Sequence, residues 1–336
     1  MTSHSRPVLE LVDLVAGYRQ RRGAWGRRKE VRAVAGVNLT VYPGETVCLV
    51  GESGCGKSTV ARSVVGLLEP FSGEVRFDGR DVRTLSAAER KRLRRDVQLV
   101  FQDPYASLNP TMTVYELLSE AWRIHPGLVA REDWDSEVAS LLERVGLNPS
   151  HARRYPHQFS GGQRQRISIA RALSVRPRLI VCDEAISALD VSIQAQILNL
   201  LAELQRELGV AYLFITHDLG VVRHFADRVA VMHLGTIVEL GEVADLYERP
   251  AHPYTRALLS AVPSPEDWRS AETDEIVLRG DVPSPLDPPQ GCRFHTRCWK
   301  AQDRCRVDEP RLVDRDTDHP VACHFPLEAL ASSAAD

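Results

Sequence analysis

A glycine-rich loop constrains this chain more than any other feature of its sequence. Residues Gly51–Ser58 match the pattern G-x-x-x-x-G-K-[ST], between a short apolar run, Thr46–Val50, and a segment with helical spacing of apolar residues, Ser58–Leu68. A strand before such a loop and a helix after it form the context in which backbone N–H groups bind phosphate oxygens. We expect Lys57 to reach the β- and γ-phosphates of a nucleotide and Ser58 to bind Mg²⁺.

Two later apolar runs also end in polar side chains. Leu179–Cys182 is followed by Asp183 and Glu184, and Tyr212–Thr216 is followed by His217. Short buried strands that alternate with helical segments favour a mostly parallel sheet covered on both faces. Beside a phosphate loop, an acidic pair at such a strand end can hold Mg²⁺ and polarise an attacking water. Without the phosphate loop, the same pair would indicate a solvated acidic turn.

The residues alone leave two further positions open. Gln102 follows the apolar run Val97–Phe101 and could sense a metal ion or a water. His217 lies where ligands bind in open α/β sheets, but a single histidine is as readily structural as phosphate-binding.

A second helix start with anion-binding character lies in the segment Phe159–Gln163. Ser160 is a good N-cap residue, and the glycines Gly161 and Gly162 permit close backbone approach before an apolar helical pattern. One chain has little need for two such sites, so the second could serve a nucleotide held by another subunit.

The composition and the charge pattern exclude several classes of protein. The 336 residues are 43% hydrophobic and 26% charged with a net charge of −3, which excludes a disordered or membrane-embedded chain. No run of 18 apolar residues and no signal-peptide core occur, so we expect a cytoplasmic protein. The basic run Arg90–Arg95 follows a capping box at Ser86–Glu89, which favours a solvated helix face over a nucleic-acid site.

The motifs of this chain, and their order along it, resemble those of the ATP-binding subunits of ABC transporters. The resemblance covers about residues 8–326 and includes the loop Ser187–Asp190. It implies a P-loop α/β fold with a mostly parallel core sheet, an antiparallel β subdomain and a helical insertion. We expect an ATPase domain over residues 8–260, with its helical subdomain at about 103–177, and an irregular extension rich in proline and cysteine over 261–330.

The resemblance also implies roles for the matching positions. Glu184 would be the catalytic base and His217 the switch histidine. Tyr18 would stack on adenine, with Trp25 as the weaker candidate. The ATP-binding set would be Tyr18, Gly51, Ser53, Gly54, Cys55, Gly56, Lys57, Ser58, Thr59 and Gln102. The other implied sets are Ser58, Gln102 and Asp183 for Mg²⁺, the signature Ser160, Gly161, Gly162 and Gln163 for the partner's ATP, and Asp190 for the dimer interface.

Four longer segments resemble the dipeptide/oligopeptide importer subfamily, in particular its F-type ATPase subunit. They are Gly51–Thr59, Tyr155–Ile167, Ser187–Gln196 and His252–Leu258, with a matching ending at Gly291–Cys298. The resemblance implies a peripheral subunit on the cytoplasmic face of the membrane that hydrolyses ATP to energise peptide import. Its partners would be a paralogous ATPase subunit, two permease subunits and an extracytoplasmic peptide-binding protein, without nucleic acid.

Four of the seven cysteines lie close to the end of the chain. Cys292, Cys298, Cys305 and Cys323 lack the tight C-x2-C pairs of usual zinc sites. Four thiolates in a proline-rich segment suit a [4Fe–4S] cluster, and the subfamily resemblance points to the same cofactor. Structural zinc and free cysteines are the alternatives.

Two other functions compete with peptide import. A soluble ABC ATPase of DNA repair or translation usually has tandem ATPase domains or a long coiled-coil insertion, and this chain has neither. A degenerate subunit that holds ATP without turnover is disfavoured because Glu184 and His217 are both present. Import of another solute, such as a nickel chelate, stays open because specificity rests with other subunits.

Overall fold

The computed structural model describes residues 6–21, 28–262, 275–281, 283–314 and 319–327. The strands are β1 (Leu9–Arg21), β2 (Arg28–Val41), β3 (Thr46–Val50), β4 (Ser72–Phe77), β5 (Arg80–Asp81), β6 (Val97–Val100), β7 (Leu179–Asp183), β8 (Ala211–Thr216), β9 (Arg228–His233) and β10 (Thr236–Glu242). The α-helices are α1 (Lys57–Val64), α2 (Ala87–Asp96), α3 (Pro104–Ser107), α4 (Val114–Ile124), α5 (Trp134–Arg144), α6 (Gly161–Leu173), α7 (Val191–Leu208), α8 (Leu219–Phe225), α9 (Val243–Glu248), α10 (Pro253–Ser260) and α11 (Asp303–Val307). Short 3-10 helices lie at Val82–Thr84, Arg131–Asp133, Pro149–Arg153 and Pro156–Gln158.

The chain divides into two compact units, and each unit is built from segments that are not contiguous in sequence. The first unit contains Val41–Glu45 and Phe77–Ile215, and the second contains Leu9–Thr40, Thr46–Arg76 and the residues from Thr216 onward. This division does not follow the expected boundary between residues 260 and 261, which stays a prediction.

A parallel sheet lies in the first unit. β7 pairs in parallel with both β6 and β8, with Val181 opposite both Leu99 and Leu213. β8 is buried along its whole length, as is β7 except at Asp183. Strands that are apolar on both faces are typical of a sheet covered on both sides. The carboxyl ends of β6 and β7 therefore share one sheet edge.

The connection between β6 and β7 contains only helical elements, joined by loops. The backbone from residue 101 to 178 is fully described, and it forms α3 to α6 and no strand. A capping box of Thr113 and Glu116 opens α4. The ring centroids of Trp122 and Trp134 lie 5.5 Å apart, so the two tryptophans join α4 to the start of α5. The helical insertion expected from the sequence is present.

The second unit combines parallel and antiparallel pairing. β9 pairs in parallel with β3 and antiparallel with β10. The turn between β9 and β10 places Leu234 (φ 42°) and Gly235 (φ 88°) in the left-handed region, as tight hairpins require. The same unit contains the neighbouring strands β2, β1 and β4, in that order. The mixed α/β fold agrees with the expected class.

The described part of the C-terminal extension contains one short helix, α11. The other described residues after 262 form turns, bends and two isolated antiparallel bridges, in which Val321 pairs with Glu239 and with Val313. The extension is attached to β10 by backbone bonds, since Leu240 N–H donates to Pro320 O (3.0 Å) and Ala322 N–H donates to Val238 O (2.8 Å). Within the described ranges, no helix is both long and apolar enough to cross a membrane.

Candidate functional site

The phosphate loop connects β3 to α1 in the second unit, and two of its glycines are fixed by close backbone contacts. Gly51 has φ 150°, and a Cβ atom there would lie 2.1 Å from Met232 O. Gly56 has φ 113°, and a Cβ atom would lie 2.2 Å from Ala33 O. Gly56 is also the N-cap of α1 and offers no capping side chain. The start of this helix therefore keeps the character of an anion site.

Lys57 lies within the loop rather than in solvent. It is 4% exposed, and its Nζ donates to Gly51 O (2.7 Å) and Glu52 O (3.0 Å). Cys55 is also buried, and burial raises the pKa of its thiol while the nearby Lys57 charge opposes the rise. Ser53 and Gly54 are the exposed members of the loop. The ammonium group is thus held at the loop by carbonyl groups that a phosphate could replace.

The adenine-stacking candidate lies close to the helix that follows the loop. Tyr18, on β1, is 42% exposed, and its hydroxyl accepts a hydrogen bond from Arg62 Nη1 of α1 (3.0 Å). The stacking of Tyr18 on adenine stays a prediction. Trp25 lies outside the described residues.

An acidic and amide cluster follows the carboxyl ends of β6 and β7 in the first unit. Gln102 Nε2 donates to Glu184 Oε2 (3.0 Å) and lies 3.4 Å from Ser187 Oγ. Glu184 has φ 49°, a left-handed conformation that L-residues adopt at a cost of about 1–2 kcal/mol. Backbone strain of this kind is concentrated at functional sites. Asp183 is the last residue of β7, immediately before Glu184.

The second helix start has the predicted cap. Ser160 Oγ accepts a hydrogen bond from Gln163 N–H (3.3 Å), and Gln163 Oε1 accepts one from Ser160 N–H (3.1 Å). A Cβ atom at Gly162 would lie 2.6 Å from Ile193 Cγ2, so α6 and α7 approach closely here. Ser160 itself is exposed. The signature therefore presents a capped helix start to solvent.

The remaining candidates lie at strand and helix ends. Asp190 is the exposed N-cap residue of α7, and its side chain makes no capping hydrogen bond. His217 follows β8 and is exposed. The structure thus brings Gln102 and Glu184 together in the first unit. The phosphate loop, Tyr18 and His217 belong to the second unit, and the carboxylates, the signature and Asp190 belong to the first.

The four late cysteines line one small pocket in the second unit, together with His252, His295 and Lys300. Burial raises the pKa values of Cys292 and Cys323 to about 11, and proximity of the other thiols contributes. Thiols are the ligands of iron–sulfur clusters, whereas thiols beside imidazoles, as in this pocket, also suit zinc. Among the described residues, however, no group of three or more His, Cys, Asp or Glu side chains is arranged to hold a metal ion.

A buried cluster of aromatic and histidine side chains lies beside the phosphate loop. His233 lies 4.5 Å from Tyr254 and 5.3 Å from Phe294 between ring centroids. Burial lowers the pKa of His233 to about 4 and that of His252 to about 3, so both rings are neutral at pH 7. These residues are distant from the loop in sequence, and no spacing rule connects them to it. Tyr254 and Phe294 lie in two segments that carry the subfamily resemblance, His252–Leu258 and Gly291–Cys298, but that resemblance does not predict their contact with each other.

Comparison with known families identifies two regions of the chain. The family described as ABC transporter matches residues 34–187, and the family described as oligopeptide/dipeptide transporter, C-terminal region, matches residues 238–305. The first match includes the phosphate loop, the signature and Glu184. The second includes His252, Cys292 and Cys305.

Individual proteins are similar over nearly the whole length. The oligopeptide transport ATP-binding protein AppF of Bacillus subtilis is 49% identical over 325 residues, which is 96% of this chain and 98% of AppF. The di/tripeptide transport ATP-binding protein DppF of Pseudomonas aeruginosa is 49% identical, over 96% of this chain and 99% of DppF.

A solved structure supports the fold assignment. The dimeric ATP-binding cassette MJ0796, bound to ADP and Pi in a post-hydrolysis state, is 30% identical with a TM-score of 0.61, over 70% of this chain and 98% of the cassette. Identity close to one half over nearly the full length, the two family matches and this fold lead to one assignment. The chain belongs to the ABC transporter family of ATP-binding proteins, in the group that contains the oligopeptide and dipeptide transport ATP-binding proteins.

Proposed function

We propose that this protein hydrolyses ATP to energise the import of peptides through a membrane transporter. The observation that carries the proposal is the continuous similarity to peptide transport ATP-binding proteins over 96% of the chain, including the C-terminal region. The buried Lys57 and the open start of α1 support ATP binding by the phosphate loop. The ATP-binding set named above, including Thr59, is assigned on that basis.

The catalytic roles are assigned residue by residue. We assign the general base to Glu184, supported by its strained backbone and its bond from Gln102. Mg²⁺ is assigned to Ser58, Gln102 and Asp183, and His217 is assigned to the transferred phosphate. These assignments rest on the motif positions and the chemistry of the side chains.

The assembly proposed has two ATPase subunits paired head to tail. The exposed capped helix at Ser160 supports a role toward ATP on the partner subunit, and Asp190 is assigned to the interface between the subunits. The partner would be a paralogous ATPase, and both would lie on the cytoplasmic face of the membrane against two permease subunits. An extracytoplasmic binding protein would deliver the peptide.

Reconstitution tests this proposal directly. Proteoliposomes that contain the permeases and the paralogous ATPase encoded beside this gene, together with this chain, are expected to take up a radiolabelled peptide. Uptake should require the binding protein and ATP on the side of the ATPases, and omission of this chain should abolish it. Uptake of a nickel chelate without any peptide would contradict the peptide substrate, and absence of ATP turnover would contradict the enzyme assignment.

We further propose a [4Fe–4S] cluster at Cys292, Cys298, Cys305 and Cys323, in an extension that covers residues 261–330. The presence of all four thiols in one pocket supports a cluster. Structural zinc, bound by the same thiols, is the alternative that the test below separates from a cluster. When bound, such a cluster would crosslink the extension through its thiolates.

Metal analysis of anaerobically purified protein tests the cluster. The expected result is a brown protein with absorbance near ~400 nm and about four irons per chain, as a four-iron cluster requires. A double replacement, Cys292→Ser with Cys305→Ser, is expected to be colourless. Colourless wild-type protein that contains about one zinc per chain would contradict the proposal.

A further inference from the structure

The second residue of the phosphate loop is held by an arginine of the C-terminal extension. Arg297 Nη1 lies 2.8 Å from Glu52 Oε2, and Nη2 lies 3.0 Å from Glu52 Oε1. The Arg297 side chain is 7% exposed and that of Glu52 is 25% exposed. A two-point contact between a planar guanidinium and a carboxylate is the strongest form of this pair, especially where water is largely excluded.

Glu52 is also fixed through its backbone. Its N–H donates to the hydroxyl of the buried Tyr254 (2.9 Å), and its carbonyl accepts a hydrogen bond from Lys57 Nζ (3.0 Å). The residue thus connects the lysine that would bind phosphate with two side chains from outside the loop. A displacement of Glu52 would therefore displace the acceptors that position Lys57.

The segment that carries Arg297 is itself firmly packed. Phe294 is 1% exposed, and its ring lies 5.2 Å from that of Tyr254. Arg293 Nη1 donates to Leu234 O in the turn between β9 and β10. Cys292 N–H donates to Cys305 O (2.8 Å). The segment from Cys292 to Cys298 therefore begins and ends at the four-cysteine pocket and contacts the phosphate loop between these ends.

The charge of Arg297 beside Glu52 affects how the phosphate loop binds a nucleotide. ATP brings several negative charges to the loop, and the Glu52 carboxylate lies within that loop. Like charges at short range repel, the more so where solvent screens them poorly. Arg297 neutralises Glu52, so the loop can accept a polyanion.

We propose that Arg297 is a positioning residue for ATP: it holds and neutralises Glu52, and thereby couples the order of the segment Cys292–Cys298 to the affinity of the phosphate loop. The inference rests on the proposed ATPase function and adds a regulatory element to the same site. Loss of order at the cysteine pocket would then weaken ATP binding through Arg297, without any change in the loop sequence.

Equilibrium titration of the full-length chain with Mg²⁺ and a fluorescent ATP analogue tests the inference. Arg297→Gln is expected to weaken binding roughly tenfold, because it leaves a partly buried carboxylate unpaired beside the phosphates. The double variant Glu52→Gln/Arg297→Gln removes both charges and is expected to bind within about threefold of wild type. Arg297→Lys keeps the positive charge but cannot make the two-point contact with the carboxylate. Its ATP affinity is therefore expected to lie between those of the single and the double variant.

A matched control lies in the same extension. Arg304 pairs with Asp308 at the surface, where the two side chains are 62% and 56% exposed. Arg304→Gln removes the same charge at an exposed ion pair and is expected to leave ATP affinity unchanged. At saturating ATP, kcat of the Arg297→Gln variant should stay within about threefold of wild type, since no reacting atom contacts this residue.

Two results would overturn the inference while leaving the ATPase function intact. One is an Arg297→Gln variant that binds ATP as tightly as wild type. The other is a double variant that binds as weakly as Arg297→Gln alone, because that result would mean loss of packing rather than an unpaired charge. Wild-type protein that bound no ATP at all would overturn the proposed function, and this inference with it.

Discussion

Replacement of Glu184 by Gln is expected to lower the ATPase rate by ~10²–10⁴-fold, the contribution that a positioned general base makes to such a reaction. The variant keeps the size and one oxygen of the side chain but loses the basic carboxylate. Gln102 Nε2 can still donate to the remaining oxygen, so the local arrangement should persist. ATP binding is expected to be retained.

Two measurements separate catalysis from binding in this variant. Steady-state phosphate release gives the rate, and titration with a fluorescent ATP analogue gives the affinity. A rate that falls while the affinity stays the same identifies a group that acts in the transition state rather than in binding.

Glu203→Gln provides the control for Glu184→Gln. Glu203 lies on α7 in the same unit and is exposed. Its replacement makes the same chemical change away from the strand ends, and the rate should stay within about twofold of wild type, as for most surface substitutions. An unchanged rate in Glu184→Gln would remove Glu184 from the role of base.

Much of the fold could be predicted because local patterns and tertiary structure agree. The run Thr46–Val50 forms β3 with the same bounds, and Leu179–Cys182 forms β7 with one more residue. These strands are buried on both faces, so their apolar runs are continuous and bounded by polar residues. The capping box at Ser86 and the N-cap residue Ser160 could also be predicted, since capping depends on residues at most three positions apart.

Contacts between distant segments could not be predicted in this way. Nothing in the sequence near Glu52 indicates that Arg297, 245 positions later, pairs with it. The same holds for Tyr254, whose hydroxyl accepts the Glu52 N–H. Periodicity and motif spacing report local geometry, whereas these pairings depend on how α10 and the C-terminal extension pack against the phosphate loop.

Gly56 of the phosphate loop shows what the motif predicts and what only the structure adds. The motif predicts that Gly56 is required, but it gives no reason beyond the backbone conformation. The structure adds a second reason, because Ala33 O lies 2.2 Å from the place that a Cβ atom would occupy. Real Cβ atoms do not approach a carbonyl oxygen so closely, so the loop or β2 would have to move.

Replacement of Gly56 by Ala should therefore have the second large effect. We expect ATP binding to be lost, since displacement of Gly56 moves the first turn of α1 and Lys57 with it. Stability should fall by about 3 kcal/mol, from a backbone contact that cannot relax together with the cost of φ 113° for an L-residue. Thermal unfolding of the nucleotide-free protein and ATP titration are the two measurements.

Gly66 offers a control that separates the clash from the backbone conformation. Its φ is 72°, it lies shortly after α1 in the same unit, and a Cβ atom there would meet nothing within 4 Å. Gly66→Ala should therefore cost only about 1–2 kcal/mol for the left-handed backbone and leave ATP affinity unchanged. The difference between the two variants measures the clash with Ala33. Equal stability losses in both would mean that the close approach of the phosphate loop to β2 does not constrain the ATP site.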